Sequence, residues 1–339
     1  MIDFRSDTVT KPCKKMRYAM SQAEVGDDVY NDDPTVNDLE QWAAQTHNFA
    51  AALFCSSGTQ ANLLALMAHC QRGDEYLCGQ QAHNYKFEGG GAAVLGSIQP
   101  QPIQNEKDGT ISLLKLKQAI KPNDSHFAHT KLVSIENTIN GKVLPLSYLI
   151  ELREFVNQHQ LSLHLDGARV YNAATALAVE VTEITKHFDS MTVCLSKGLG
   201  APIGSLLFGS KAFITKARRW RKVLGGGMRQ AGILCAAAKI ALTDNISKLK
   251  TDHENAKYLA QELNILNGFN VDIEQVETNM VFVEIDDTID IFAIANNLKA
   301  EKIMLTPSKN MRLVTHLDIN KDQIDCFISA LKAHLQYQD

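Results

Sequence analysis

The chain has 339 residues, of which 45% are hydrophobic and 21% are charged, and its formal net charge is −4. This composition is typical of a globular protein, and chains longer than about 250–300 residues usually divide into two domains. The small acidic excess argues against a nucleic-acid groove and is too slight to indicate a charged partner. No apolar run approaches the roughly 18 residues of a membrane span, and the N-terminus is charged from its third residue. A cytoplasmic protein with no membrane partner is therefore expected.

The seven cysteines also favour a reducing compartment. Their number is odd, they contain no Cys-x-x-Cys spacing, and several lie inside apolar runs. They are therefore interpreted as small core residues.

Residues 1–35 are polar and are predicted to form loops. Four aspartates between Val25 and Pro34 raise the possibility of a calcium loop. The spacing of an EF-hand is absent and no glutamate closes the loop, so no metal site is predicted.

A possible anion site follows the first strand. The sequence predicts a helix over 36–47, a buried strand over 51–55 and a helix over 63–70, with Ser56–Asn62 between the last two. Small hydroxyl residues and Gly58 before a helix can bind a phosphate through backbone N–H groups and the helix dipole. Plain N-capping by Ser57 or Thr59 explains the same residues and is the simpler interpretation when they are taken alone.

His83 lies just after the next predicted strand, 75–79. An imidazole there can lie flat on an aromatic cofactor or move a proton near neutral pH, although a hydrogen-bonded structural histidine is an equal alternative. A glycine-rich turn over 89–94 and an extended excursion over 98–102 follow. They contain no Gly-x-Gly-x-x-Gly motif, so dinucleotide binding has no support.

An aspartate and a lysine end two further strands. Strand 131–136, helix 145–159 and strand 161–166 alternate as in a parallel sheet, and Asp166 ends the last of them. Lys197 follows the strand-forming run that starts at Val193, in a stretch rich in glycine. Open α/β sheets bind ligands at the carboxyl ends of their strands. Pyridoxal phosphate needs a lysine for its Schiff base and an aspartate for its pyridinium nitrogen, so the pair predicts this cofactor.

The rest of the chain completes two domains. A strand over 204–208, a basic helix over 212–222 and a flexible turn over 225–229 precede a helix; the basic run 218–222 is interpreted as a solvated face or subunit contact. From about 246 the pattern predicts a small α+β domain, with helices to 266, near 289–301 and over 320–336, and strands over 280–285 and 311–316. The predicted division is a large domain, 1–245 with an arm at 1–25, and a small domain, 246–339.

Seven blocks in order resemble the low-specificity L-threonine aldolase family. They are Arg5–Thr10, Gly26–Tyr30, Gly58–Asn62, Ala82–Asn84, His164–Arg169, Leu195–Gly200 and Gly225–Gln230, and together they extend over essentially the whole chain.

The resemblance implies an α/β fold of the fold-type I pyridoxal-phosphate class. This class has a mostly parallel seven-stranded sheet with helices on both faces and a small C-terminal α+β domain. It implies a homotetramer of dimers with active sites between subunits. The implied activity is reversible cleavage of L-threonine or L-allo-threonine to glycine and acetaldehyde, with other β-hydroxy amino acids also reacting.

The resemblance also assigns roles to individual residues. The implied catalytic residues are Lys197 as the Schiff-base lysine, Asp166 at the pyridinium nitrogen, and His83 and His126 near the substrate hydroxyl. The implied cofactor contacts are Gly58, Thr59, His83, Asp166, Arg169, Lys197 and Arg229, the last from its own or a neighbouring subunit. Ser6, Arg169 and Arg312 are the implied carboxylate-binding residues.

Three questions stay open at this stage. The base could be His83, His126 or a water held by them, and a bound water is favoured because a stacked imidazole is poorly aimed at the hydroxyl. The reaction could be that of a β-eliminating lyase with the same cofactor. The glycines and charges could also be structural, in a non-catalytic binding protein.

Overall fold

The structure is a computed structural model that describes residues 1–336. Its strands in chain order are β1 (Ile2–Asp3), β2 (Ala51–Cys55), β3 (Asp74–Gly79), β4 (Gln99–Ile103), β5 (His129–Glu136), β6 (Ser162–Asp166), β7 (Ser190–Cys194), β8 (Ser205–Gly209), β9 (Phe269–Asn270), β10 (Met280–Ile285), β11 (Ile303–Met304) and β12 (Asn310–Val314).

The helices in chain order are α1 (Lys14–Ser21), α2 (Pro34–Thr46), α3 (Gly58–His69), α4 (His83–Lys86), α5 (Gly91–Val94), α6 (Leu113–Ala119), α7 (Leu146–Gln158), α8 (Val170–Leu177), α9 (Val181–Thr185), α10 (Lys211–Val223), α11 (Gly232–Asp244), α12 (Leu249–Asn264), α13 (Ile291–Ala300) and α14 (Lys321–Gln336). None of the helices in the described residues is long and apolar enough to cross a membrane.

A seven-stranded sheet in the order β2-β8-β7-β6-β5-β3-β4 forms the centre of the large part. β8 is antiparallel to both of its neighbours, and the other pairs in the sheet are parallel. The predicted mostly parallel sheet of seven strands is therefore confirmed. The carboxyl ends of β6 and β7 are adjacent, because Asp166 is in register with Thr192.

Helices cover both faces of this sheet, as the strand sequences require. Successive strand residues point to opposite faces, and here both faces are apolar. On β2, Leu53 packs in a cluster with Leu64 of α3 and Phe213 of α10. The next residue, Phe54, belongs to the main cluster with Leu39 of α2. The central strands are therefore buried on both sides. The polar residues at their carboxyl ends lie along the edge of the sheet that these strand ends form.

The C-terminal part has its own hydrophobic cluster around an antiparallel sheet, β12-β10-β9, and helices α12 to α14. Two residues from the start of the chain also belong to this cluster. Ile2 pairs in parallel with Ile303, and Phe4 lies against Phe327 with ring centroids 4.9 Å apart. The division of the chain at residues 245 and 246 remains a prediction.

Two local predictions are wrong. Residues 14–21 form helix α1 instead of loop; its apolar stripe is short, with Met16 buried and Met20 packed against the main cluster. The excursion near 98–102 is strand β4, which pairs with β3 at the edge of the sheet. Its two prolines cannot donate to a neighbour, and an edge strand tolerates them.

Candidate active site

Asp166 and Lys197 are brought to one edge of the central sheet. Asp166 is the last residue of β6 and is 3% exposed. Lys197 lies three residues beyond the end of β7, and its carbonyl accepts a hydrogen bond from Thr10 Oγ1 at 3.0 Å. Both charges act on the Glu136 carboxyl at the end of β5. Burial and the negative charge of Asp166 raise the pKa of Glu136 to about 7, while the positive charge of Lys197 opposes that shift.

The Asp166 carboxylate is held by two donors. Its Oδ2 accepts from Asn62 Nδ2 at 2.7 Å, and its Oδ1 accepts from the Ala168 N–H at 3.1 Å. The Asn62 amide is oriented in turn, because its Oδ1 accepts from Thr192 Oγ1 at 3.1 Å. Asp166 is thus oriented to accept a hydrogen bond from a protonated ring nitrogen. Asn62 is a site residue that sequence reasoning missed, although it lies in the block Gly58–Asn62.

His83 lies at the start of α4 and contacts a second carboxylate, Glu88. Its Nδ1 is 2.8 Å from Glu88 Oε1, and its backbone N–H donates to Glu136 Oε2 at 3.0 Å. The side chains of His83 and Glu88 are 40% and 4% exposed. The hydrogen bond to Glu88 raises the pKa of His83, with Asp166 adding to the effect. Sequence reasoning missed Glu88 because a glutamate beside a glycine turn looks like a solvated residue.

Helix α3 begins at Gly58, five residues before the predicted start. Ser57 is the N-cap, with its Oγ accepting from the Gln60 N–H at 3.1 Å, so the capping interpretation holds for Ser57. The N–H groups of Gly58 and Thr59 fall in the first turn, where a helix offers them no internal acceptor. A Cβ on Gly58 would lie 2.6 Å from Cys194 Sγ. Glycine therefore lets the N-terminus of α3 approach the last residue of β7.

Arg169 is already clamped on one side by a buried aspartate. Its Nε and Nη2 donate to the two Asp7 carboxylate oxygens at 2.8 and 2.6 Å, and Asp7 is fully buried. The positive charge and hydrogen bonds of Arg169 hold the pKa of Asp7 well below its usual range. The pairing leaves Nη1 as the nitrogen of Arg169 available to a ligand. Asp7 was not predicted as a site residue, although it lies in the block Arg5–Thr10.

Arg312 and Ser6 lie close to this clamp. Partial burial and the positive charge of Arg169 lower the pKa of Arg312, so the two guanidinium groups repel each other. An anion bound between them would relieve that repulsion. Ser6 Oγ donates to Asp7 Oδ1 at 3.4 Å and accepts from the Thr8 N–H at 3.2 Å. The three predicted carboxylate-binding residues are therefore neighbours in the folded chain.

Arg229 and His126 are not joined to the cluster. Arg229 Nη1 pairs with Asp27 Oδ2 at 2.8 Å, and its side chain is 51% exposed. His126 lies on the surface loop before β5 with its side chain 82% exposed, and its Nδ1 is 2.6 Å from Asp124 Oδ1. Their roles remain predictions, which a neighbouring subunit would have to complete.

His83, Glu88 and Asp166 each offer one ligand atom, and these atoms all lie within 4.8 Å of one another. The Asn62 amide contacts both carboxylates, and the imidazole contacts Glu88. These internal hydrogen bonds account for the proximity of the three groups without a cation.

The residues of this cluster fit pyridoxal phosphate: an amine, a carboxylate held by two hydrogen-bond donors, an imidazole and the first turn of a helix lie at one edge of a mostly parallel sheet. Fold and site together define the fold-type I class of pyridoxal-phosphate enzymes. Residues 3–287 match the family described as beta-eliminating lyase.

The chain is 53% identical to the low-specificity L-threonine aldolase of Escherichia coli strain K12 over 96% of each chain. It is 44% identical to low-specificity L-threonine aldolase 1 of Arabidopsis thaliana over 97% of this chain and 96% of that protein. The chain belongs to the low-specificity L-threonine aldolase family. The solved structure of Leishmania major threonine aldolase, at 20% identity, superposes with a TM-score of 0.83 over 99% of this chain and all of that chain, which shows the same fold.

Proposed function

We propose that the protein uses pyridoxal phosphate to cleave L-threonine and L-allo-threonine reversibly to glycine and acetaldehyde, and cleaves other β-hydroxy amino acids in the same way. The observation that carries this proposal is the convergence of Asp166 and Lys197 at the sheet edge beside the N-terminus of α3. Membership of the threonine aldolase family selects this reaction among those of the fold.

Each residue of the cluster has a distinct task toward the cofactor. Lys197 would hold it covalently through its amine, and the N–H groups of Gly58 and Thr59 would bind its phosphate. Asp166, oriented by Asn62, would hold the ring nitrogen protonated, and His83 would lie against the ring. When bound, the cofactor supplies a conjugated ring that accepts the electron pair left on Cα when the Cα–Cβ bond breaks.

Substrate orientation is assigned to the two arginines and Ser6. The free Nη1 side of Arg169 and the Arg312 guanidinium would bind the amino-acid carboxylate, with the Ser6 hydroxyl adding a donor. Because Asp7 already fixes Arg169, the carboxylate would be bound in one orientation. That orientation decides which bond at Cα lies perpendicular to the ring and breaks.

The hydroxyl proton is assigned to a water held by His83. Nδ1 of His83 is occupied by Glu88, so Nε2 is its free nitrogen. Mutants distinguish this water from direct proton abstraction: if His83 or His126 is itself the base, replacing that histidine by Phe should slow cleavage strongly. If neither His83→Phe nor His126→Phe slows cleavage by about tenfold, roughly 1.4 kcal/mol, both side chains serve only in packing.

The proposed assembly is a homotetramer with shared sites. Phe87 and Phe127 are 61% and 46% exposed in the single chain, and a cavity of about 900 Å³ lies between α2 and α10. Sedimentation velocity tests the assembly, since four chains of 37.5 kDa give about 150 kDa (4 × 37.5). Mixing Lys197→Ala chains with Arg229→Ala chains tests sharing: restored activity requires that a site draws on two subunits.

The proposed location is the cytoplasm. All seven cysteines are free thiols, and five of them are buried. This matches a compartment that keeps thiols reduced. Fractionation of cells that make the protein would refute this location if the protein were recovered outside the cytoplasmic fraction.

Product analysis tests the activity itself. Acetaldehyde and glycine from threonine are the expected products, whereas 2-oxobutanoate and ammonia would replace the aldolase with an eliminating lyase, the reaction that the family description favours next. A protein that stays colourless after cofactor addition would support the non-catalytic alternative. Lys197→Ala should lose both the visible absorbance and most of the turnover, and unchanged activity would refute the role of Lys197.

A further inference from the structure

Glu88 is a nearly buried carboxylate with no part in the function described so far. It follows α4 and precedes Gly89 and Gly90, whose φ angles of 63° and 68° turn the chain back toward α5. The turn directs the Glu88 side chain inward, where it is 4% exposed. Its Oε1 lies 2.8 Å from His83 Nδ1 and 2.8 Å from Asn62 Nδ2.

The hydrogen-bond geometry fixes the direction of the bond between His83 and Glu88. The Asn62 carbonyl is occupied by the Thr192 hydroxyl, so the amide nitrogen of Asn62 faces Asp166 and Glu88. An amide nitrogen has two hydrogens and no acceptor, and both hydrogens are used here. Glu88 Oε1 therefore accepts from Asn62 Nδ2, and with Glu88 ionised it also accepts from His83 Nδ1, which carries the proton of that bond. Burial and Asp166 raise the pKa of Glu88, while the hydrogen bonds from His83 and Asn62 oppose that rise and favour the ionised form. In neutral His83, Nε2 is then the unprotonated nitrogen.

We propose that Glu88 is a positioning residue for the aldol cleavage: it holds the His83 imidazole in the Nδ1-protonated tautomer, so that Nε2 accepts the hydroxyl proton directly or through water. This inference rests on the role of His83 in the proposed function. Asn62 joins the two halves of the arrangement, because one amide group fixes both the Asp166 carboxylate and the Glu88 carboxylate. Glu88 needs no contact with substrate or cofactor for this role.

The charges around His83 determine what removal of Glu88 should do. Glu88 and Asp166 raise the pKa of His83, and burial and Lys197 lower it. Glu136 accepts the backbone N–H of His83, and only charge links its carboxylate to the His83 ring. With Glu88 made neutral, burial and Lys197 act against a smaller negative charge, so the pKa of His83 should fall. The same change at Glu136 removes a charge but no hydrogen bond to the ring, so it should lower the pKa of His83 less.

The first test uses the cofactor-free protein and measures His83 itself. Exchange of the imidazole Cε1 hydrogen for deuterium, followed by mass spectrometry of the His83 peptide across pH, gives the pKa of that ring. Glu88→Gln keeps the shape of the side chain and should lower the pKa of His83 by about one unit or more. Glu136→Gln is the matched control, a second carboxylate of the same cluster made neutral. An unchanged pKa in Glu88→Gln overturns the proposal.

The second test uses the holoenzyme with threonine. Glu88→Gln should lower kcat about tenfold or more, change KM less than threefold, and move the acid limb of the kcat/KM profile to lower pH. A purely packing role for Glu88 would leave that limb in place. If the wild-type protein cleaves threonine but the acid limb does not move in Glu88→Gln, the positioning role of Glu88 is refuted and the proposed function is not. If the pKa of His83 falls in Glu88→Gln but the wild-type protein yields no acetaldehyde from threonine, the proposed function is refuted and the coupling of Glu88 to His83 is not.

Discussion

Replacing Asp7 by Asn tests whether the N-terminal segment holds the substrate-binding arginine in place. Asn has nearly the same shape, but it removes the negative charge and turns one acceptor oxygen into an N–H₂ donor that faces the Arg169 guanidinium. The wild-type pair makes two charge-assisted hydrogen bonds, at 2.6 and 2.8 Å, between side chains that are 0% and 11% exposed. Solvent therefore screens the pair little.

The expected loss follows from this burial. Removing one partner of a buried ion pair costs about 3–5 kcal/mol, and Asn keeps one acceptor, so about 3 kcal/mol of unfolding free energy should be lost. Activity should fall as well, because a displacement of about 1 Å at a positioning group can cost roughly 100-fold in rate. We expect kcat to fall about 10- to 100-fold. KM should change less, because the variant also removes a negative charge that repels the substrate carboxylate.

Denaturant unfolding and steady-state kinetics with threonine measure the two effects. Asp3→Asn is the control on the same segment, since its partner Arg5 is 43% exposed and such pairs contribute about 0–1 kcal/mol. The depressed pKa of Asp7 means that its contribution is present above the ordinary value of 3.8 and is lost as pH falls below it. The difference between wild-type and Asp7→Asn should thus shrink only in acid. Wild-type kcat/KM in the variant would refute the reasoning.

Three further predictions concern folding and cofactor binding. Arg221→Met should cost about 3 kcal/mol in denaturant unfolding, because the Asp28 carboxylate, 2.5 Å from Arg221 and 1% exposed, would keep only the more distant cation of Arg218 at 3.7 Å. Gly58→Ala should weaken pyridoxal-phosphate binding in a spectroscopic titration, since its Cβ would lie 2.6 Å from Cys194 Sγ, and a second change, Cys194→Ala, should restore binding. Asp252→Asn should stabilise the protein at alkaline pH. Burial and nearby carboxylates raise the pKa of Asp252 to about 8 from the ordinary value of 3.8. The unfolding free energy of the wild-type protein should therefore be highest below pH 3.8 and fall by at most about 1.4 kcal/mol per pH unit between pH 3.8 and 8.

Each of these predictions has a control and a contradicting result. Lys186→Met breaks an exposed pair and should cost less than about 1 kcal/mol; an equal cost in Arg221→Met would contradict the burial argument. Equal cofactor affinity in Gly58→Ala with and without Cys194→Ala would show that the clash is absent. Parallel stability curves for wild-type and Asp252→Asn from acid to alkaline pH would show that Asp252 does not titrate as described.

The strands of the sheet were predictable because each is a short apolar run with a polar end. Strand β2 matches the predicted 51–55, and β6 lies within one residue of 161–166. Helix α3 begins earlier than predicted because its first residues are small and polar and contribute no apolar period. Helix α1 and strand β4 were missed because their apolar patterns are short: α1 has Met16, Ala19 and Met20 among polar residues, and β4 has two prolines and one buried residue.

The placement of residues at one edge of the sheet was predictable where a residue type with a specific chemical use follows a strand. Lys197, Asp166 and Gly58 belong to this group. The residues that hold them were not predictable, because their contacts join distant parts of the chain: Asp7 and Arg169 are 162 residues apart, and Asn62 and Asp166 are 104 apart. Local patterns carry no signal for such pairs, and only the folded chain identifies them.

The positions of these supporting residues indicate how the two parts of the molecule act together. The segment from Ile2 to Thr10 pairs with the C-terminal part at its start and reaches the central sheet at its end; along the way it contacts Arg312 through the Arg5 carbonyl, Arg169 through Asp7, and the Lys197 carbonyl through Thr10. Both arginines proposed to bind the substrate carboxylate therefore contact the same short segment. A shift of the C-terminal part would change the distance between them. The affinity for the carboxylate and the packing of the two parts are thus expected to change together.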